Sequence, residues 1–424
     1  MKRIRTQLLP EVYLTCLPAA KFKTDFLSAQ FVTPLRLETA GLGALLPAVL
    51  ERGTRRYPDM QQLTAAEDLL YGANISHSVR KRGESQLWGF VATAIDDAYT
   101  PGGERLLEPL TELVGELLCD PCVENGLLRG DYTASEKTNL IDLIRSTVND
   151  KRTFAGKRLL EEMCRGEAYG VSHLGEEEAV GAITPSILTT YYRRQLAAGR
   201  LELYYCGKAE PARVEDAFRR AFEGLRREEV APISPVPHHR GPSEVRVVQE
   251  QMDVSQGKLC LGYSVDSVDK DAVLVMDMLF GGTSNSKLFL NVREKLSLCY
   301  YASSAYHRSK NLITVSSGIE SQNYQKALDE IAHQLNAIQR GEWEDWEFSA
   351  AMSSLKNAYK AIFDSASQLE DFYMGQIASG QDREPEEMLR DILTVTPERV
   401  VEAAKTVRLD TVYFLTGKEE GDNG

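Results

Sequence analysis

Histidines, the commonest ligands of a catalytic zinc, are few in this 424-residue chain, and they are poorly spaced. The six histidines are His77, His173, His238, His239, His307 and His333, and none stands three or four positions from another. Histidines at i and i+4 share one helix face and can grip a single ion, and a catalytic zinc usually takes three protein ligands. No zinc site is therefore predicted, and the chain is expected to carry no metal. His238-His239 falls in a proline-rich stretch and is expected to be solvated. Cys119-Asp120-Pro121-Cys122 has the spacing of a redox pair. It follows the apolar helical run Leu110 to Leu118, with no thioredoxin-like strand pattern before it, and reads as a helix end. Neither a Gly-x-Ser-x-Gly elbow nor a Cys-His arrangement is present in the sequence. Gly281-Gly282-Thr283-Ser284 is a flexible turn without the Gly-Lys-Ser/Thr of a phosphate loop. It serves either as a helix entry or as a place where backbone comes close to a ligand.

The elements that must position these residues follow from hydrophobic periodicity. Short alternating runs around Val12, Leu14, Phe22, Phe26 and Phe31 predict strands with one buried face. Helices are predicted over Gly41 to Leu50, over Met60 to Tyr71 with Asp59 as N-cap, over Leu106 to Leu118 and over Thr133 to Val148. Strands are predicted over Gln86 to Ile95 and Leu201 to Gly207. Arg80-Lys81-Arg82 reads as a solvated turn. Arg226 to Val245 holds Pro232, Pro235, Pro237, Pro242 and Gly241 and is the linker candidate. Beyond it the pattern repeats: strands at Lys258 to Ser264, Leu312 to Ile319 and Asp410 to Leu415, helices at Lys270 to Leu279, Tyr324 to Gln339 and Trp343 to Ala361. The same mix in the same order predicts a duplicated α+β domain. The expected domains are 1–228 and 246–424, joined by a linker at 229–245.

Hydrophobic residues make up 43% and charged residues 26%, as in an ordinary globular protein. The net charge of -13 argues against general nucleic-acid binding, which depends on neutralising phosphates. Leu8-Leu9-Pro10-Glu11 breaks the N-terminal apolar run before a secretory h-region forms. No stretch reaches the roughly 18 apolar residues of a membrane span. Seven scattered cysteines, an odd number, suit reduced thiols and a cytoplasmic location.

Several stretches in order resemble the family of pitrilysin, insulin-degrading enzymes and mitochondrial processing peptidase, the inverzincins. Gly41 to Thr54 matches the helix that carries His-x-x-Glu-His and ends in Gly-Thr. Tyr169-Gly170, Gly175, Ile183-Thr184-Pro185, Tyr191-Tyr192 and Gly207 follow the family's order. In the second half Leu279-Phe280-Gly281-Gly282 and Ser286-Lys287-Leu288-Phe289 lead to Arg293-Glu294-Lys295 and Leu298-Cys299-Tyr300. The resemblance implies two tandem homologous domains, each a mostly antiparallel sheet packed with helices, in a clam-shell arrangement. It also implies a departure. The positions of the two zinc-binding histidines and the general base read Ala44, Ala48 and Pro47. Of the family's two glutamates on the later helix, Glu136 matches the first, and Leu143 replaces the second, which binds zinc. Asp142, one residue off, lies about 100° away around a helix and reads as solvated. Glu51 has no histidine partner in sequence. Pro47 lacks an N–H and is expected to bend or interrupt its helix.

Arg293 and Tyr300 match a pair that active members keep facing the zinc. A tyrosine O–H can donate to the negative charge of a carbonyl under attack, and a guanidinium can donate two parallel hydrogen bonds. Arg293 is expected on a helix and Tyr300 at the start of the next strand, with Tyr301 as its competitor on the opposite face. A glycine-rich loop here is linked in the family to substrate handling, which makes Gly281 and Gly282 candidate substrate contacts. The resemblance implies a zinc-less subunit that hydrolyses nothing alone and pairs with a zinc-bearing homologue. Peptides would add in extended form to a sheet edge. A structural or peptide-binding scaffold without a catalytic part is the alternative. The sequence leaves open a homodimer of the isolated chain.

Overall fold

A computed structural model describes residues 2–228 and 236–417, so Pro232 and Pro235 of the expected linker lie outside the described residues. Two compact units form. The first takes residues 2–145, 171–228 and 365–381, the second residues 146–170, 236–364 and 382–417.

The first unit is built on a sheet of β1 (Ile4–Leu9), β2 (Val12–Pro18), β3 (Thr24–Pro34), β4 (Asn74–Arg82), β5 (Ser85–Ile95) and β8 (Arg200–Gly207). A small hairpin, β6 (Val123–Glu124) and β7 (Leu127–Leu128), stands apart. The sheet order is β1-β2-β8-β3-β5-β4. β2 and β8 run parallel, and the other neighbours are antiparallel. β3 is central and buried along nearly its whole length, as its run of Phe, Leu, Ala and Val requires. Phe31 stacks on the fully buried Trp88 of β5 with ring centroids 4.6 Å apart. The helices Leu37–Leu50 and Leu107–Cys119 turn their apolar residues into this core.

The second unit carries β9 (Arg246–Met252), β10 (Gly257–Val265), β11 (Cys299–His307), β12 (Leu312–Ile319) and β13 (Val407–Gly417), ordered β11-β12-β10-β13-β9. β9 and β13 are parallel and the other neighbours antiparallel. Counted along the chain from β2 and from β9, both sheets read first, fifth, second, fourth, third, with the same strand directions. Between the fourth and fifth strands each half has five helices. The duplication expected from the repeated pattern is thus present in the topology.

The third of those five helices departs from the linear division. Lys151–Met163, from the first half of the chain, lies in the second unit, where Ala155 and Leu159 pack with Cys260, Tyr413 and Leu415. Gly262 leaves it room, since a Cβ there would stand 2.5 Å from Met163 Sδ. Its counterpart Ala366–Ala378, from the second half, lies in the first unit against β3, β4 and β8. The two halves have exchanged equivalent helices.

Two local expectations need correction. The helix at Pro47 is neither bent out of register nor interrupted; it runs Leu37–Leu50, and proline falls in its last turn, where only one backbone bond is lost. Arg80-Lys81-Arg82 is no turn but the end of β4, and Arg80 is ion-paired. No helix among the described residues is long and apolar enough to cross a membrane.

Candidate functional site

From Ala40 on, the helix Leu37–Leu50 is apolar on all sides and largely buried. Gly43 is required by a close approach, since a Cβ there would meet Gln86 Oε1 at 2.2 Å. Gln86 in turn donates to Ala40 O at 2.8 Å and fixes the helix against β5. Ala44 and Pro47 are buried and Ala48 is half-buried. One turn on, the side chains become charged. Glu51 accepts from the His77 backbone N–H at 2.9 Å and meets the His77 ring Nδ1 at 2.5 Å. That hydrogen bond raises the His77 pKa against the opposing effect of burial. Burial, with the Glu51 charge adding to it, pushes the Glu67 carboxyl up to about 7. Arg52 pairs with Glu136 and donates to Ser135 Oγ at 3.0 Å. Leu143 is exposed, and Asp142 is an exposed partner of Arg145 at 3.9 Å.

This geometry does not fit a zinc ion. Ala44, Pro47, Ala48 and Leu143 offer no side-chain donor atom, and Glu136 is held by a guanidinium. The Glu51–His77 pair supplies one carboxylate and one imidazole, two donors where a catalytic zinc usually takes three. A double variant, Glu51→Gln with Glu136→Gln, is expected to leave the metal content of the purified chain unchanged by elemental analysis. A drop in bound zinc would show that the surviving carboxylates still hold an ion.

In the second unit, helix Lys270–Asp277 passes into a π-helical turn, Met278–Gly282. Buried Asp277 ties this turn to β11, accepting from Ser304 Oγ at 2.6 Å and from the Tyr306 N–H at 3.1 Å. A Cβ on Gly281 would lie 2.4 Å from Ser304 N, so a buried glycine is needed for packing, whereas Gly282 is exposed. Burial raises the Asp277 carboxyl from 3.8 to about 6, against those two hydrogen bonds. The folded chain holds this proton more tightly than the unfolded one, so the group's contribution to stability falls as pH rises from 3.8 to about 6. Asp277→Asn should therefore gain stability relative to the unmutated chain across that window. Urea midpoints at both ends test it, and a constant difference between the two proteins would refute it.

Arg293 sits on the helical segment Leu288–Lys295, half exposed, with its guanidinium 4.6 Å from the Phe289 ring centroid and 3.4 Å from Glu294. The chain then turns through Ser297, whose φ of 51° lies in the left-handed region. Such a residue costs about 1–3 kcal/mol where it is not glycine, and it persists only when its surroundings enforce it. Leu298 N–H bonds back to Val292 O at 3.0 Å and provides part of that enforcement. On edge strand β11, Cys299 pairs with Ile319 and Tyr301 with Gly318, so Tyr300 is the extra residue of a β-bulge. It is 57% exposed. A bulge re-aims a side chain, and bulges gather beside functional sites. Tyr301 packs instead, with the Arg152 guanidinium 4.1 Å from its ring centroid. The two tyrosines are thus distinguished, one presented and one packed.

The structure also assembles a group that no spacing revealed. His239, expected to be solvated, is only 3% exposed. Its Nδ1 lies 2.6 Å from Glu167 Oε1 and 4.0 Å from Cys164 Sγ, and its Nε2 lies 3.0 Å from Asp410 Oδ2. Buried Lys310 meets Glu167 Oε2 at 2.5 Å. Burial disfavours a charged imidazole here, but the hydrogen bonds to Asp410, Cys164 and Glu167 prevail and push its pKa up to about 10. A Cys-His arrangement therefore exists in space, although its members are far apart in sequence. His238 beside it is exposed. The Cys119-x-x-Cys122 stretch does end a helix, Leu107–Cys119, and Cys122 Sγ donates to Thr54 O at 2.9 Å.

Comparison with known proteins agrees with this anatomy. Residues 182–355 match the family model described as the peptidase M16 inactive domain. The probable inactive metalloprotease YmfF of Bacillus subtilis (strain 168) is 34% identical over 405 residues, 94% of each chain. An uncharacterized zinc protease of Streptomyces coelicolor is 22% identical over 319 residues, 73% of this chain and 69% of its own. A conserved protein from Enterococcus faecalis V583 shares the fold with a TM-score of 0.90 and 28% identity, over 99% of this chain and 100% of the other. The peptidase M16 inactive domain from Pseudomonas fluorescens gives a TM-score of 0.80 at 15% identity, covering 98% of both, a likeness of fold. With 34% identity to a probable inactive metalloprotease along nearly its whole length, and with the zinc-motif positions stripped of donor atoms, the chain belongs to the M16 peptidase family, the pitrilysin-type inverzincins, as an inactive metallopeptidase homologue.

Proposed function

We propose that this chain is the zinc-less subunit of a two-chain peptidase, pairing with a homologue that keeps His-x-x-Glu-His. The partner supplies zinc, water and general base. This chain supplies Arg293 to orient the substrate backbone and Tyr300 to donate to the developing oxyanion. The observation that carries this reading is the bulge at Tyr300. An exposed tyrosine on an edge strand, reached through a left-handed turn from a half-exposed arginine, has its hydroxyl free to meet a ligand from outside the chain. Gly282 is the exposed glycine of the neighbouring turn and the one available for substrate contact. The substrate is an extended peptide. The free thiols favour the cytoplasm.

The test is reconstitution. Each chain alone is expected to be inactive toward unstructured peptides, and the mixture with the zinc-bearing homologue active. Failure of the two to copurify, or equal activity of the partner with and without this chain, would reject the proposal. One observation favours the scaffold alternative: Arg293 already lies against Phe289 and Glu294 of its own helix. A scaffold would assemble with its partner and leave the rate unchanged.

A further inference from the structure

We propose that Cys164, Glu167 and His239 form a binding site for a divalent transition metal ion, with zinc as the ion best suited to the donor set. The site lies wholly within the second unit, shares no residue with the lost zinc motif, and is independent of the peptidase reading.

The donor atoms already converge. Cys164 Sγ, His239 Nδ1 and a Glu167 carboxylate oxygen all lie within 4.8 Å of one another. Zinc bonds of about 2.3 Å to sulfur and about 2.0–2.2 Å to nitrogen and oxygen put S···N near ~3.6 Å and N···O near ~3.4 Å in a tetrahedron. The observed 4.0 Å and 2.6 Å therefore require a small contraction on one side and an opening on the other. Glu167 is the ligand able to move, since its side chain is 31% exposed and it follows the end of a helix. His239 is the fixed one. Its Nε2 is held by fully buried Asp410, the carboxylate–histidine–metal relay that orients ligands in zinc sites. Thiolate, imidazole and carboxylate together suit zinc better than magnesium or calcium, which take oxygen.

Charge balance removes the usual objection to burying an ion. Without metal, His239 faces a carboxylate from each nitrogen and carries both ring protons. Two cations, His239 and Lys310, then face two carboxylates, Glu167 and Asp410, so these four side chains sum to zero. A divalent ion displaces one proton from Cys164 Sγ and one from His239 Nδ1. Two positive charges enter and two protons leave to solvent, and the sum remains zero. No oxidation or reduction is involved. The bound ion would fasten three segments together: the end of helix Lys151–Met163, the stretch before β9 and, through Asp410, strand β13.

The experiment uses the full-length chain without a histidine tag. Zn²⁺ titration against a competing chelator is expected to show one ion per chain. Co²⁺ in its place is expected to give a thiolate-to-cobalt charge-transfer band in the near ultraviolet. Cys164→Ser should abolish the band and weaken Zn²⁺ binding by at least about 100-fold, and Asp410→Asn, which acts through His239, should weaken it by about 10- to 100-fold. No stoichiometric Zn²⁺ binding, a Co²⁺ complex without the band, or a Cys164→Ser protein that binds as tightly as the unmutated chain would each overturn the proposal and leave the cluster as an ion-pair clasp. The cobalt spectrum of the unmutated chain decides the matter should a variant fail to fold.

Discussion

Complexes carrying Arg293→Ala or Tyr300→Phe are expected to assemble with the zinc-bearing partner as the unmutated chain does and to cleave peptide about 10²–10³ times more slowly. The size of the effect follows from what is removed. Tyr300→Phe deletes one O–H and leaves the ring, so the bulge and the strand pairing of β11 should persist. If that hydroxyl meets charge only as the carbonyl becomes tetrahedral, its loss appears in kcat more than in KM. Arg293→Ala removes a forked donor that also grips the ground-state backbone, so KM should rise as well. Arg293→Lys keeps the charge without the planar fork and should recover only part of the rate. Tyr301→Phe is the control, because its ring packs beneath Arg152. Rates equal to the unmutated complex for both Arg293→Ala and Tyr300→Phe, with assembly confirmed by gel filtration, would replace the catalytic reading with the scaffold one.

What the sequence disclosed, and what it withheld, divides along one line: whether a residue's partners are near it in the chain. Ala44, Pro47 and Ala48 declare the loss of the motif because an i, i+4 pattern is local. The duplicated sheets were legible because strand and helix periods repeat in order. Asp59 was legible as a cap, since its acceptor role reaches only to Gln62 N, at 2.9 Å. His239 was not. Its partners are Cys164, Glu167 and Asp410, and nothing around His238-His239 announces them. Arg80 misled for the same reason: three basic residues in a row suggest water, and the carboxylate that neutralises Arg80 lies 290 positions away. The helix exchange was hidden more deeply. An amphipathic pattern tells that Lys151–Met163 and Ala366–Ala378 bury a face, but not which of two sheets sharing a five-strand order receives it.

That exchange leads to the second large effect: Glu370→Ala is expected to cost about 3–5 kcal/mol of stability. Glu370 stands on the exchanged helix Ala366–Ala378 and is buried in the first unit. Its Oε1 accepts from Arg80 Nη2 at 2.7 Å, Ser28 Oγ at 3.0 Å and Gln30 Nε2 at 3.3 Å, and its Oε2 accepts from Arg80 Nη1 at 2.9 Å. Alanine would leave Arg80 with half-exposed Asp371, 3.0 Å from its Nη1, in place of a buried carboxylate, and would take an acceptor from two buried polar groups of β3; losing one member of a buried pair is strongly destabilising. Glu370→Gln keeps the size and the acceptor while losing the charge, and should fall between. Removing both charges, Arg80→Met with Glu370→Leu, should recover much of the loss, because apolar replacement of a buried pair is often neutral. Urea unfolding of the four proteins measures this directly, and a cost below about 1 kcal/mol for Glu370→Ala would place the pair in the class of surface ion pairs. The same contact forbids a simple cut at the linker. Residues 1–228 expressed alone lack the helix that neutralises Arg80, and residues 229–424 alone lack the helix whose Ala155 and Leu159 cover Cys260, Tyr413 and Leu415. Each fragment should aggregate by itself, and coexpression should restore a soluble complex because each then receives its helix from the other. Fragments that are separately soluble and show cooperative unfolding would mean that each sheet finds its third helix within its own half of the chain.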